Sequence, residues 1–255
     1  MNKIKTFIVV IFQCLIYEFV LSVSYEAIIA KFTDKDKMYN LSAAISAAIV
    51  LIILIFFRRQ ANKKQTDKDM TKKGGQICLL FFETILLLLL LSNILNISPI
   101  INRSDTFNEY LNVLKSSPVI FLLLNTVVMS PLIEEIMFRG IALEQLKGEF
   151  KDVTAVIISA LLFGIVHQNI VQFIYAFVGG VLFGVIYLLS NSLLCTYILH
   201  ALVNLITVVR TYNNIIYTWE SNKNNFYIET IVIAIISIVL ATIALRRVIT
   251  NKEIR

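Results

Sequence analysis

The sequence is poor in charged residues, and it contains few cysteines, prolines and histidines. Of its 255 residues, 16% are charged and 58% are hydrophobic, and the mean hydropathy is +0.79. These values exclude an ordinary soluble globular domain. The three cysteines, Cys14, Cys78 and Cys195, lie in separate apolar segments without paired spacing, so neither a disulfide framework nor a thiolate metal site is indicated.

The apolar residues form runs long enough to cross about 30 Å of hydrocarbon. No internal repeat and no linker rich in proline, glycine or serine divides them, so residues 1–255 are predicted to form a single domain. Lys3 and Lys5 precede the first run as in a signal peptide, but that run contains Glu18 and Glu26 and is interpreted as an uncleaved span. The fold is predicted to be all-α, a polytopic membrane bundle of about eight transmembrane helices, near residues 6–30, 40–57, 77–101, 117–138, 153–171, 172–190, 192–209 and 228–245.

The net charge of +6 is explained by membrane topology, and nucleic-acid binding is not expected. The loop Arg58–Gly75 carries seven Lys and Arg residues, which places it in the cytoplasm. With eight spans, both termini are then cytoplasmic, and 15 basic residues lie inside against 7 outside. The protein is therefore expected in the cell membrane as a multi-pass protein.

The segment Ser130–Gly140 places two carboxylates and a guanidinium inside an apolar run. A charge at bilayer depth costs several kcal/mol, roughly 2.5 or more, so such residues indicate a functional site. Glu135 and Arg139 are four residues apart on one helix face and are expected to pair, whereas Glu134 is rotated by about 100° and is left free to act. The alternative is an ion pair that only stabilises packing.

Both histidines of the protein lie in later apolar runs. Counting about 1.5 Å per residue from the cytoplasmic helix ends places His167, His200, Asn204 and Glu134 roughly 14–22 Å deep, near the midplane. Residues from three helices at one depth are what a single buried site requires. His200 and Asn204 share a helix face and could donate hydrogen bonds to an oxyanion, although a polar clasp between helices would use the same residues.

The apolar runs contain further small and acidic residues outside this predicted site. Gly179, Gly180 and Gly184 form a small-residue ridge that favours close helix packing. Glu18 is predicted near the midplane without an assigned role. The chain has no His-Glu-x-x-His motif, and Arg139 would oppose a cation beside the carboxylates, so no metal and no other cofactor is expected.

These motifs resemble the CPBP intramembrane proteases, the CAAX proteases and bacteriocin-processing enzymes, also called Abi or type II CAAX prenyl endopeptidase-like proteins. The resemblance rests on Glu134–Gly140, on Phe163–His167, and on Gly179–Gly184 followed by His200–Asn204. Together the motifs cover a predicted catalytic core of about residues 117–209.

The resemblance implies a helical membrane endopeptidase, and the mechanism we expect is direct attack by water without an acyl-enzyme. The position matching Glu134 would activate water with the help of the position matching His167. The positions matching His200 and Asn204 would stabilise the oxyanion.

In the same family, the positions matching Glu135 and Arg139 would support the site. Eukaryotic relatives cut after a prenylated cysteine, whereas bacterial relatives are associated with peptide maturation, bacteriocin self-immunity and regulation. The expected substrate is therefore a membrane-associated peptide or protein, and the sequence leaves the oligomeric state open.

Two other functions remain open at this point. A non-catalytic immunity or scaffold protein that binds a toxin or a sensor would need none of the catalytic geometry. A proton-coupled transporter could use the same carboxylates and histidines as a relay, but the chain has no detectable internal repeat.

Overall fold

The computed structural model of the protein is built from helices throughout the part of the chain that it describes. That part comprises residues 2–61, 74–97, 109, 112, 116–212 and 222–253. Its eight principal helices are α1 (Lys3–Ile29), α2 (Lys35–Ala61), α3 (Gly74–Ile97), α4 (Val119–Lys147), α5 (Asp152–Ile165), α6 (Ile170–Ser190), α7 (Leu193–Tyr212) and α8 (Lys223–Glu253).

The helical membrane bundle predicted from the sequence is confirmed, since seven of these helices are long and apolar enough to cross a membrane. The eighth, α5, has 14 residues and is about 21 Å long. The orientation of the bundle stays a prediction, and residues 62–73 of the expected cytoplasmic loop lie outside the described residues.

The end of α5 differs from the expectation that one span covers residues 153–171. The helix stops at Ile165, and Gln168 has a positive φ of 58°, which breaks the helical path. Asn169 then caps α6, because its side-chain oxygen accepts a 2.9 Å hydrogen bond from the backbone N–H of Gln172. His167 therefore lies in a turn between two helices, and not within a helix as predicted.

Helix α4 alternates between α and π geometry. Two wider π-helical stretches, Leu123–Met129 and Ile136–Leu143, flank a short regular stretch, Ser130–Glu135. Pro131 lies at the start of that regular stretch and has no backbone N–H to give to the preceding turn. The adjacent carboxylates Glu134 and Glu135 thus occupy a regular turn between two irregular ones, a placement that is frequent at functional sites.

The glycine ridge on α6 packs against α5, in agreement with its predicted role in close helix approach. A Cβ atom added to Gly180 would lie 2.9 Å from the Cβ atom of Ala160, and one added to Gly184 would lie 3.0 Å from a methyl carbon of Val156. Small residues at these positions let the two backbones approach, which brings α5 and α6 together beside the carboxylates of α4.

Helix α8 lies at the edge of the bundle and packs along α3. A polar network holds this edge together. Arg210 of α7 donates to the side-chain oxygen of Asn93 at 2.8 Å and to Glu229 at 3.1 Å, and Asn93 in turn donates to the hydroxyl of Thr230 at 3.0 Å. Three helices are therefore joined by hydrogen bonds at one level.

Candidate active site

The two adjacent glutamates have different surroundings. The Glu135 side chain is 1% exposed, and its Oε1 lies 2.8 Å from Nη1 of Arg139, so the ion pair expected from their spacing is present. The Glu134 side chain is 17% exposed and faces a cavity inside the bundle. One carboxylate is thus locked in the protein, while the other is accessible.

Arg139 is enclosed on every side that the structure describes. Its Nη2 donates to the carbonyl oxygen of Gly180 at 3.2 Å, and its guanidinium carbon lies 4.8 Å and 5.2 Å from the ring centroids of Phe163 and Phe183. The rings shield the cation and interact with it favourably. Gly180 therefore serves both the helix packing and the hydrogen bonding of the arginine.

His200 links the two glutamates. Its Nδ1 lies 3.0 Å from Oε1 of Glu135, and its Nε2 lies 3.6 Å from Oε2 of Glu134. The Phe183 ring packs on the imidazole with the centroids 4.9 Å apart. The ring orientation is therefore fixed from two sides, with Nε2 directed toward the accessible carboxylate.

His167 is held by the turn that follows α5. Its Nδ1 donates to the carbonyl oxygen of Phe163 at 2.8 Å, and the two rings meet edge to face at 5.0 Å. This hydrogen bond leaves Nε2 of the neutral ring with a lone pair. In the described part of the chain, His167 makes no direct hydrogen bond to Glu134, its expected partner. Both side chains line the same cavity. His200 is the imidazole nearer to Glu134.

Asn204 reaches from α7 to α4. Its Nδ2 donates to the backbone carbonyl of Thr126 at 2.8 Å, inside the first π-helical stretch of α4. Ser159 of α5 makes the corresponding contact with the second stretch, donating to the carbonyl of Phe138 at 2.7 Å. The π-helical turns thus offer carbonyl groups to neighbouring helices. Asn204 retains a second amide N–H beside the cavity.

The sequence analysis missed a second polar group beside the site. Asn125 of α4 donates from its amide to Asn40 of α2 at 3.0 Å and accepts from the hydroxyl of Ser130 at 3.2 Å. Asn40 is fully buried. The signal that could have revealed this group was the presence of amide side chains inside two apolar runs.

The cavity has a volume of about 530 Å³ and is lined by residues from each of the helices α1 to α7. Glu134, His167, His200 and Asn204 all line it, whereas Glu135 and Arg139 lie behind its wall. The predicted site residues therefore form two layers, one accessible and one buried. Within the described ranges, no group of three or more His, Cys, Asp or Glu residues is placed to hold a metal ion.

Comparison with known families identifies the segment that contains these residues. The family model of type II CAAX prenyl endopeptidase Rce1-like proteins matches residues 116–206. Over this segment, the chain is similar to that family, which supports the resemblance seen in the motifs. The Rce1-like family is one of membrane endopeptidases, and hence of hydrolases. No curated protein and no solved structure matches the chain at the required significance.

The Rce1-like segment covers α4, α5, α6 and most of α7. It contains all of the predicted site residues, Glu134, Glu135, Arg139, His167, His200 and Asn204. Helices α1, α2 and α3 lie outside the Rce1-like match, yet they supply a large part of the cavity wall. The candidate site residues thus all come from the matched segment, whereas the cavity wall is shared between that segment and α1, α2 and α3.

Proposed function

We propose that this protein is a metal-independent, glutamate-dependent intramembrane endopeptidase that hydrolyses a peptide bond in a membrane-associated peptide or protein. One observation carries the proposal. Glu134 faces the cavity with a free carboxylate edge, whereas Glu135 is held by both Arg139 and His200. Glu135 and Arg139 keep the imidazole of His200 in place, and the Glu134 carboxylate in the cavity is available for general-base catalysis.

The first step is attack by water on the scissile carbonyl carbon. Glu134 would act as the general base that takes a proton from the water, and His167 offers the lone pair of its Nε2 as a second acceptor that orients it. The new C–O bond turns the carbonyl oxygen into an oxyanion. No covalent intermediate with the protein forms.

The oxyanion needs hydrogen-bond donors on the opposite side of the carbonyl group. As an imidazolium, His200 donates from Nδ1 to Glu135 and from Nε2 into the cavity. The second amide N–H of Asn204 supplies another donor. Glu134 then returns its proton to the leaving nitrogen, the C–N bond breaks, and one acid and one amine are released.

Hydrolysis inside a membrane requires a supply of water, and the cavity is suited to hold it. A volume of about 530 Å³ accommodates on the order of ten water molecules or a short peptide segment. Hydroxyl and amide groups such as those of Ser130, Asn125 and Tyr175 lie in its wall. They offer hydrogen bonds to water and to a peptide backbone, which would otherwise be costly to place at this depth.

The decisive test compares wild-type protein with Glu134→Gln. Glutamine keeps the shape of the side chain but cannot act as a base, so hydrolysis of a fluorogenic membrane peptide should fall at least about 100-fold. The melting temperature in detergent should change little. Glu229→Gln is the matched control, because it neutralises a membrane-helix carboxylate that is paired with Arg210 away from the cavity.

Comparative peptidomics of cells with the wild type and with Glu134→Gln would identify the natural substrate, including any peptide involved in maturation or in bacteriocin self-immunity. Undiminished turnover in Glu134→Gln would contradict the proposed role of Glu134. No measurable turnover by the wild type, together with identical peptidomes, would contradict the proposal as a whole and favour a non-catalytic immunity or scaffold protein instead.

Metal independence has its own test. The purified wild-type protein should keep its hydrolytic activity after prolonged treatment with strong chelators. Stoichiometric zinc in the active protein, with activity lost on its removal and restored on its return, would contradict this part of the proposal.

A further inference from the structure

A second carboxylate, that of Glu18 on α1, lines the same cavity as Glu134. It belongs to an apolar span, where a charged side chain is costly. In the described part of the protein, Glu18 forms no hydrogen bond and no ion pair. Helix packing therefore does not explain this acid, and neither does the hydrolysis step.

Apart from the two histidines, the acidic and basic side chains that line the cavity are carboxylic acids. Glu18 and Glu134 line it, and no lysine or arginine among the described residues does so. Arg139 lies behind the wall with Glu135 and two phenylalanine rings, and Arg210 is bound to Glu229 and Asn93. The field inside the cavity therefore attracts a cation and repels an anion.

The position of Glu18 places this charge in the cavity that also holds the proposed base, Glu134. Glu18, Leu21, Ser22 and Tyr25 follow one another along a single face of α1 and all line the cavity, so α1 forms one continuous wall. The Glu18 carboxylate is near enough to Glu134 to interact with it electrostatically. A peptide lying along this wall would have its scissile bond near Glu134 and a neighbouring side chain near Glu18.

We propose that Glu18 is a specificity-determining residue that binds a lysine or arginine side chain of the substrate close to the scissile bond. The substrate is then an internal, cationic segment of a membrane-associated peptide. A C-terminal CAAX sequence ends in a free carboxylate, and no described lysine or arginine lines the cavity to bind it. The location of the scissile bond rests on the proposed function; the charge preference of the cavity can be measured without catalysis.

The test uses labelled synthetic decapeptides and the Glu134→Gln protein in lipid nanodiscs, so that binding is measured without turnover. Each set contains three peptides that differ only in the residue at one position, which is lysine, norleucine or glutamate. Different sets place this variable residue at different positions along the peptide. At one position, lysine should bind about tenfold more tightly than norleucine, as expected for one charge-assisted hydrogen bond. Glutamate should bind more weakly than both.

Variants of α1 then test whether the preference for lysine depends on Glu18. Adding Glu18→Gln should remove the difference between lysine and norleucine, and Glu18→Lys should reverse the order so that glutamate is favoured. Glu18→Asp keeps the charge and should retain the preference. Glu26→Gln is the matched control, because Glu26 is an exposed acid of the same helix outside the cavity wall.

Equal binding of lysine and norleucine at every position would overturn the inference. A lysine preference that survives Glu18→Gln would overturn it too, as would tighter binding of a free C-terminal carboxylate than of its amide. Hydrolysis by the protein with Glu134 intact is recorded separately. Selective binding without hydrolysis would contradict the proposed function alone, and hydrolysis without a Glu18-dependent preference would contradict only the role of Glu18.

Discussion

In the part of the chain that the structure describes, two arginine–glutamate pairs differ in location and burial. Arg139 and Glu135 are four residues apart on one helix, and each side chain is 1% exposed. Arg210 and Glu229 come from different helices, and their side chains are 15% and 26% exposed. The first pair is enclosed by a backbone carbonyl, an imidazole and aromatic rings, whereas the second joins an edge helix to its neighbours.

The difference concerns what each pair positions. The inner pair fixes His200, whose other nitrogen points at Glu134, so its loss would disturb both folding and chemistry. The outer pair holds α3, α7 and α8 together and has no described contact with the candidate site residues. Burial sets the energetic scale, because an unpaired charge is far more costly in the inner position than in the outer one.

The largest effect on stability is expected for Arg139→Gln. The change leaves the Glu135 carboxylate buried without its counter-charge, which should lower the free energy of unfolding by about 3–5 kcal/mol. Turnover should also fall, because Glu135, which accepts from His200, is no longer held in place by the guanidinium. Denaturant unfolding in detergent and hydrolysis of a fluorogenic peptide measure the two effects.

A double variant sharpens this result. Glu135→Gln with Arg139→Gln should recover part of the stability lost in either single variant, since neither charge is then left alone. Strictly additive losses in the double variant would show that the two side chains do not act as a pair.

The packing of the inner region is tested by Gly180→Ala. The new methyl group would meet the Cβ and Cα atoms of Ala160 at 2.9 Å and 3.0 Å, and a backbone atom cannot turn away. Overpacking of this kind costs about 1–3 kcal/mol and would also move the carbonyl that accepts from Arg139. Gly179→Ala is the control, because its methyl group would meet Leu88 at an ordinary 3.7 Å. Equal melting temperatures for the two variants would argue against the tight contact.

A smaller effect is expected for Ser159→Ala. This change removes the hydrogen bond to the carbonyl of Phe138 in the second π-helical stretch, which should cost about 1 kcal/mol. Ser24→Ala removes a hydroxyl that bonds only within its own helix, to the carbonyls of Val20 and Leu21, and should change stability less. The melting temperatures of both variants test whether the hydrogen bond between helices contributes more stability than one within a single helix.

The smallest effect is expected for Arg210→Gln. Its partner Glu229 is partly exposed, so the loss should be about 1 kcal/mol or less, and turnover should remain at the wild-type level. If this variant lost more stability than Arg139→Gln, the ranking of the two pairs by burial would be wrong.

The sequence was sufficient for the helical bundle and for the pair of Glu135 with Arg139, because both follow from local periodicity. It placed His167 inside a helix, although His167, Gln168 and Asn169 are three consecutive polar residues. The turn depends on the positive φ of Gln168 and on the cap formed by Asn169, and hydropathy alone does not distinguish such a turn from a polar stretch within a helix. The partner of His200 could not be predicted either. Which acid an imidazole meets is decided by how α4 and α7 pack, which is a tertiary property.

The π-helical stretches of α4 also bear on how this helix is aligned with other chains. A π turn contains about one residue more than an α turn. The residues after each π-helical stretch are therefore shifted by about one position relative to a regular α-helix of the same length along the axis. An alignment of α4 with a regular helix would therefore need a one-residue gap within residues 123–129 and another within residues 136–143. Such gaps belong inside the helix, and moving them to the flanking loops would put Glu134 opposite the wrong residue.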